Sequence, residues 1–272
     1  VVAHIRGGGE LGPECHGQAV QANKSISYRD FFSVMRDLHQ RKITSPKYLA
    51  IKGGSNGGLL VGVAATHAPE LFASAVGEHG LYDMMRYHLS GKGQLWIPEY
   101  GDPSHPVIRE VIKSYSPLEN IRDKPLPVLL LTSSCNDDRV DPSHSRKMVL
   151  ECQNHGHSAF LYQRKGGGHF GQLDIEAEAV VRALRLVFYD QTLESRTGGP
   201  AKKTSQPPVK VEPSSRQIVD KNWLLEPSSN IWHMCGIESN HYSKIGWFNN
   251  QMYQPYENLC FYNELYGYVT FS

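Results

Sequence analysis

The sequence lacks an excess of charge of either sign. Its 272 residues carry 28 Lys and Arg against 27 Asp and Glu, a formal net charge of +1. A dedicated nucleic-acid binder would carry a basic excess, so no nucleic-acid partner is expected. Any run near the roughly 18 apolar residues that a membrane helix needs is also missing, so no membrane partner is expected. Cysteine is scarce: Cys15, Cys135, Cys152, Cys235 and Cys260 are odd in number and scattered. That is a poor disulfide framework and fits a reducing compartment. The opening Val-Val-Ala-His-Ile has neither the basic region nor the cleavage pattern of a secretory signal. The two features together predict a cytoplasmic protein. No Gly-Lys-Ser/Thr follows a glycine cluster, which excludes a P-loop. His155-Gly156-His157 could be half a metal site, but no companion Cys/His cluster has ligand spacing, and it reads as a solvated turn. No metal or cofactor is expected.

Alanine disappears too. None follows Ala201, although the residue is frequent before it. This divides the chain into residues 1–197, a linker at 198–220 and an aromatic-rich segment at 221–272. The linker begins rich in Pro, Lys, Ser and Thr, the composition of a flexible connection. Trp223, Trp232 and Trp247 lie in the last segment, to which no role is assigned. Fifty-odd residues without a staple make a marginal independent fold. The start reads as the middle of a buried strand, Val1 to Ile5, running into Gly7-Gly8-Gly9. A chain that begins inside a core strand is expected to be a fragment.

What is present alternates. Strands are predicted at Val1 to Ile5, Tyr48 to Ile51, Phe72 to Val76, Pro127 to Thr132 and Ala159 to Tyr162. Helices are predicted at Ser27 to Lys42, Leu59 to His67, Ser143 to Asn154 and Leu173 to Leu193, from apolar residues recurring near helical spacing. Strands alternating with helices argue for a parallel α/β sheet, and continuous apolar strands fit a sheet covered on both faces.

The strongest chemical signal is Gly53-Gly54-Ser55-Asn56-Gly57. It matches G-x-S-x-G between a predicted strand and a predicted helix, the context a nucleophile elbow needs. The glycines allow a close backbone approach, and the sharp turn exposes the serine hydroxyl. The Asn56 N–H then becomes an oxyanion donor. A serine nucleophile needs a base, and the base needs an orienting group. On this fold the chain order is Ser, acid, His. Asp137 follows the fourth strand within Asn136-Asp137-Asp138-Arg139-Val140. His169 follows the fifth within Gly166-Gly167-Gly168-His169. Any one of the 13 histidines could be an ordinary surface residue. Ser55, Asp137 and His169 in this order, each after a strand, argue jointly for a triad.

These segments, together with Ile5-Arg6-Gly7-Gly8-Gly9-Glu10, resemble the catalytic domain of the prolyl oligopeptidases, the S9 serine peptidases, over roughly residues 1–190. Asn56 beside the nucleophile points to the prolyl branch. The resemblance implies an α/β-hydrolase fold and cleavage of short peptides after proline through a Ser-His-Asp acyl-enzyme. Ser55 would be the nucleophile, His169 the base and Asp137 its orienting acid. Asn56 would bind the oxyanion and Arg139 a substrate carbonyl. Trp96 would stack on the proline ring, with Tyr100, Val140 and Leu81 lining the same pocket. Leu81 is bulkier than the small apolar residue expected there. The resemblance also implies early strands, a β-propeller and a second oxyanion donor, a tyrosine hydroxyl, upstream of Ile5. Without the early strands, one edge of the sheet would be left unpaired. The other outcomes on this fold are an inactive or purely binding member and an esterase.

Overall fold

The computed structural model describes residues 1–170 and 175–193, and the backbone of 259–263 and 267–271. Four strands run parallel and in sequence order: β1 (Ala50–Gly54), β2 (Ser74–Glu78), β3 (Val128–Ser134) and β4 (Ala159–Arg164). β5 (Leu259–Asn263) pairs antiparallel with β4, and β6 (Gly267–Phe271) pairs antiparallel with β5. The helices are α1 (Pro13–Gly17), α2 (Ser25–Gln40), α3 (Asn56–His67), α4 (Ile97–Tyr100), α5 (Pro106–Tyr115), α6 (Ser143–Asn154) and α7 (Ile175–Thr192). This is the α/β-hydrolase arrangement of a mostly parallel sheet flanked by helices.

The pattern of side chains explains the layers. Every residue of β4 is buried, as are all but the first of β3, so the sheet is covered on both faces. α3 buries Leu59, Val61, Val63, Ala64 and Ala65 and packs on β1 and β2. A helix apolar all round belongs in a core. α2 instead buries Tyr28, Phe32, Met35 and Leu38 at helical spacing and turns its polar face outward. α6 packs on β3 and β4, and α7 on β2 and β3.

Three expectations shift. Val1 to Ile5 forms no strand. Val1 is 96% and Val2 80% exposed, and among the described residues no strand lies alongside to complete a ladder. The end of the segment is fixed by a turn bond from Gly8 N–H to Ile5 O, and the next residues by a longer-range bond from Gly7 N–H to Cys15 O. β1 ends the sheet on its other side among the described residues. α3 begins at Asn56, three residues earlier than its apolar pattern, because its first turn is glycine and offers no periodicity to read. His157 is buried, its Nε2 within 2.6 Å of Arg122 O, rather than solvated.

Within residues 221–272, the backbone of β5 and β6 extends the main sheet. The linker expected at 198–220 lies outside the described residues. Cys15 and Cys135 are free thiols. No helix among the described residues is long and apolar enough to cross a membrane.

Candidate active site

Each residue expected to act follows the carboxyl end of a parallel strand. The register sets Gly54 beside Glu78, Glu78 beside Thr132 and Ser134 beside Arg164, so the four following loops converge on one edge. Crevices at that edge are where ligands bind in such sheets.

Ser55 sits between β1 and α3 with φ 56° and ψ −118°. A non-glycine residue at positive φ is strained, and such strain persists only where its surroundings impose it. Here they do. The Ser55 N–H donates to Glu78 O at 2.7 Å, while Ser55 O accepts from the Gly58 and Leu59 N–H groups. Gly53 has no room for a side chain, since a Cβ there would lie 2.2 Å from Gly57 O. The Asn56 N–H stands in the first turn of α3, among the N–H groups that have no partner within the helix.

The hydroxyl meets the His169 imidazole. His169 Nε2 lies 2.9 Å from Ser55 Oγ. His169 Nδ1 lies 2.9 Å from Asp137 Oδ2 and 3.1 Å from Oδ1. Asp137 Oδ1 also accepts the Arg139 and Val140 N–H groups, each at 3.0 Å. Burial alone would push the Asp137 carboxyl up. Hydrogen bonds from His169, His79 and the Val140 N–H outweigh it and hold the group well below the usual carboxylate range. Asp137 is therefore an anion at neutral pH. The neighbouring Asp138 faces away and binds Lys92 Nζ at 2.7 Å. Ser134 Oγ donates to Gly167 O at 2.9 Å, and Asn136 Nδ2 to Lys165 O at 2.7 Å. These bonds clamp the Asp137 loop to the His169 loop.

Two residues outside the expected set join the cluster. His79 Nδ1 lies 2.9 Å from Asp137 Oδ2, and Arg164 Nη2 lies 2.8 Å from His79 Nε2. Both side chains are buried. The only signal in the sequence was position, since His79 directly follows β2 and Arg164 ends β4. His79, Asp137 and His169 also bring their donor atoms within 4.8 Å of one another, the one group of described residues with the composition to hold a metal ion. Their donor atoms are already engaged in hydrogen bonds with each other.

The expected substrate-binding residues lie in two places. Arg139 lines an open cavity of about 290 Å³ at Ser55, together with Phe170, Glu78, His79, Arg164 and Arg185. Its guanidinium lies over the Phe170 ring, 5.4 Å from the centroid. Leu81, Tyr100 and Val140 are buried, and Trp96 is partly buried against the same core. Burial pushes the Tyr100 hydroxyl far above its ordinary range, and it donates to Asn56 Oδ1 at 2.9 Å. Tyr100 thus reaches the residue next to Ser55. Behind it, the buried Lys24 pairs with Glu99 and lies 5.5 Å from the Tyr100 ring centroid, fixing α4.

Residues 1–196 match the peptidase S9 profile, the prolyl oligopeptidase family. The chain is 43% identical over 197 residues to an uncharacterized peptidase of Rickettsia prowazekii, covering 71% of this chain and 27% of that protein. It resembles a structure from a mechanistic study of two prolyl endopeptidases at 42% identity and a TM-score of 0.64. That match covers 68% of this chain and 29% of the other. A post-proline cleaving enzyme from Rickettsia typhi matches at 45% identity and a TM-score of 0.58, over 61% of this chain and 24% of its own. The chain spans less than a third of the length of each of these relatives.

Proposed function

The chain belongs to the prolyl oligopeptidase family, and from that premise we propose that it carries a serine-peptidase site that cleaves short peptides after proline. The observation that carries this proposal is the continuous chain from Ser55 Oγ through His169 to Asp137. Ser55 Oγ attacks the scissile carbonyl carbon while His169 Nε2 takes the hydroxyl proton. The charge that develops on the carbonyl oxygen is met by the Asn56 N–H at the start of α3. As the C–N bond breaks, His169 returns the proton to the leaving amine. Water then attacks the acyl-enzyme, His169 takes its proton, and the acid product leaves with Ser55 restored. Asp137 holds the imidazole in the tautomer that leaves Nε2 free to accept.

The preference for proline rests on Trp96, Tyr100, Val140 and Leu81, with Arg139 on a substrate carbonyl. A flat aromatic wall suits a pyrrolidine ring and offers it no charge. The names of the relatives, prolyl endopeptidases and a post-proline cleaving enzyme, support the same specificity. The test is labelling by a fluorophosphonate probe with Ser55→Ala as the control, followed by turnover of fluorogenic peptides with proline, alanine or arginine before the scissile bond. Labelling that is lost in the control, with turnover selective for proline, is the expected result. A chain that does not label overturns the proposal, and labelling with preference for simple esters would favour an esterase.

A further inference from the structure

The hydrogen-bond chain does not end at Asp137. Behind the carboxylate stand His79 and then Arg164, neither of which belongs to the expected site. The direction of each bond can be worked out from the donors. An arginine N–H can only donate, so His79 Nε2 must offer a lone pair to Arg164 Nη2 across their 2.8 Å contact. That leaves the His79 proton on Nδ1, where it donates to Asp137 Oδ2 at 2.9 Å. Asp137 Oδ2 therefore receives two imidazole N–H groups, from His79 and from His169, while Oδ1 receives the Arg139 and Val140 N–H groups. The His79 ring also stands edge-on to the His169 ring, with centroids 5.5 Å apart and planes at 64°.

The backbone invests in this placement. His79 has φ 49°, a conformation that few side chains adopt without strain. Its N–H is fixed to Thr132 O at 2.8 Å. Arg164 is buried, and burial lowers the proton affinity of its guanidinium. A buried cation that reaches one carboxylate, Glu178 Oε2 at 3.9 Å from its Nη1, and otherwise rests on a buried imidazole is a costly arrangement for packing alone.

We infer that His79 is a positioning residue for the proposed peptidase reaction, locked by Arg164 in the tautomer that donates to Asp137, and so extends the triad to Arg164–His79–Asp137–His169–Ser55. The inference rests on the peptidase proposal above. With Oδ1 held by two backbone N–H groups and Oδ2 held by His79, the carboxylate cannot rotate. The lone pairs left on it then face His169 Nδ1, and the base keeps its orientation toward Ser55.

The test uses the whole chain and compares the rate of fluorophosphonate labelling in the parent, His79→Gly, His79→Asn and Arg164→Leu. Glycine takes φ 49° without strain and supplies no donor. Asparagine also tolerates that conformation, and its Nδ2 occupies the place of the imidazole Nδ1. His79→Gly should label roughly ten- to a hundred-fold more slowly, the effect of losing a hydrogen bond to a charged group. His79→Asn should recover most of that loss, which a role in packing alone would not produce. Labelling of His79→Gly at the parent rate, or no recovery in His79→Asn, would overturn the inference while leaving the peptidase proposal standing. Nitrogen-15 spectra of the histidine rings supply a readout independent of activity. His79 should carry its proton on Nδ1 in the parent and lose that preference in Arg164→Leu. A parent ring protonated on Nε2 would also overturn it. A parent that fails to label removes the peptidase proposal itself, and this inference with it.

Discussion

Replacing Asp137 by asparagine tests the site most directly, because the carboxylate is asked to accept from every side. Its Oδ1 takes the Arg139 and Val140 N–H groups and its Oδ2 takes His79 and His169. An amide has one acceptor oxygen. If that oxygen keeps the two backbone N–H groups, the new NH₂ group points at both imidazoles. His169 can answer by moving its proton to Nε2, which then faces Ser55 Oγ as a donor and can no longer act as the base. His79 cannot answer in the same way without setting its Nε2–H against Arg164. The first effect should slow labelling of Ser55 on the order of 10⁴-fold, the size of a wrong-tautomer defect in a serine triad. The second leaves a buried donor without an acceptor and should cost about 1–3 kcal/mol of stability. The pH dependence changes as well. The Asp137 carboxyl is depressed in the folded protein, so its stabilisation is full above the unfolded value near 3.9 and is lost as pH falls through the folded value. Asp137→Asn removes that part of the acid sensitivity. The assay is the second-order rate constant for a fluorophosphonate probe, with urea denaturation of the same samples. Asp138→Asn is the control: Asp138 is 68% exposed and paired with Lys92, so labelling should stay within about two-fold of the parent. Labelling of Asp137→Asn within ten-fold of the parent would refute the assignment of the tautomer to Asp137.

Gly53→Ala should abolish labelling and lower the melting temperature, because its Cβ would lie 2.2 Å from Gly57 O and backbone must move, at a cost of roughly 1–3 kcal/mol. An unchanged melting temperature would contradict the elbow geometry. His144 Nδ1 accepts the Tyr82 and Asp83 N–H groups, and burial lowers its pKa to about 4. An unfolded histidine titrates near 6.5, so the unfolded chain binds the extra proton first and stability falls as pH drops from about 6.5 toward 4, by roughly 3 kcal/mol in all. The fall should show in urea midpoints and be absent in His144→Leu; an equal fall in that variant would place its origin elsewhere. Trp96→Ala should lose the preference for proline peptides while Ser55 still labels, and an unchanged preference would remove Trp96 from the pocket. Tyr100→Phe leaves Asn56 Oδ1 without its donor and should slow proline-peptide turnover several-fold, in line with one neutral hydrogen bond; a rate equal to the parent's would show that this contact does not hold the site.

Much of this protein is legible in one dimension because its signals are local. Alternation of apolar strands with amphipathic helices gives a parallel α/β sheet. Gly53 to Gly57 announces a sharp turn whose steric need for glycine can be read from composition. Chain order then narrows the acid and the base to loops that follow strands. The helix at Ser143–Asn154 falls where its pattern predicts, since its buried Met148, Val149 and Cys152 repeat at helical spacing. The strand expected at Val1 to Ile5 fails for the complementary reason. Apolar β-branched composition makes a segment able to pair, but pairing needs a neighbour, and no local signal reports whether one is there.

The tertiary structure decided what depends on partners distant in sequence. Asp137 and Asp138 are chemically identical neighbours, and only the fold turns one toward His169 and the other toward Lys92. His79 and Arg164 carry no motif. They are 85 positions apart and meet because β2, β3 and β4 lie side by side in register, so that residues at their carboxyl ends share one edge. The sequence by itself determined the fold class and the sharp turn that carries Ser55, because both are written in spacing and steric size. The hydrogen-bond pattern behind Ser55 was decided by burial and geometry, which exist only once the strands are assembled.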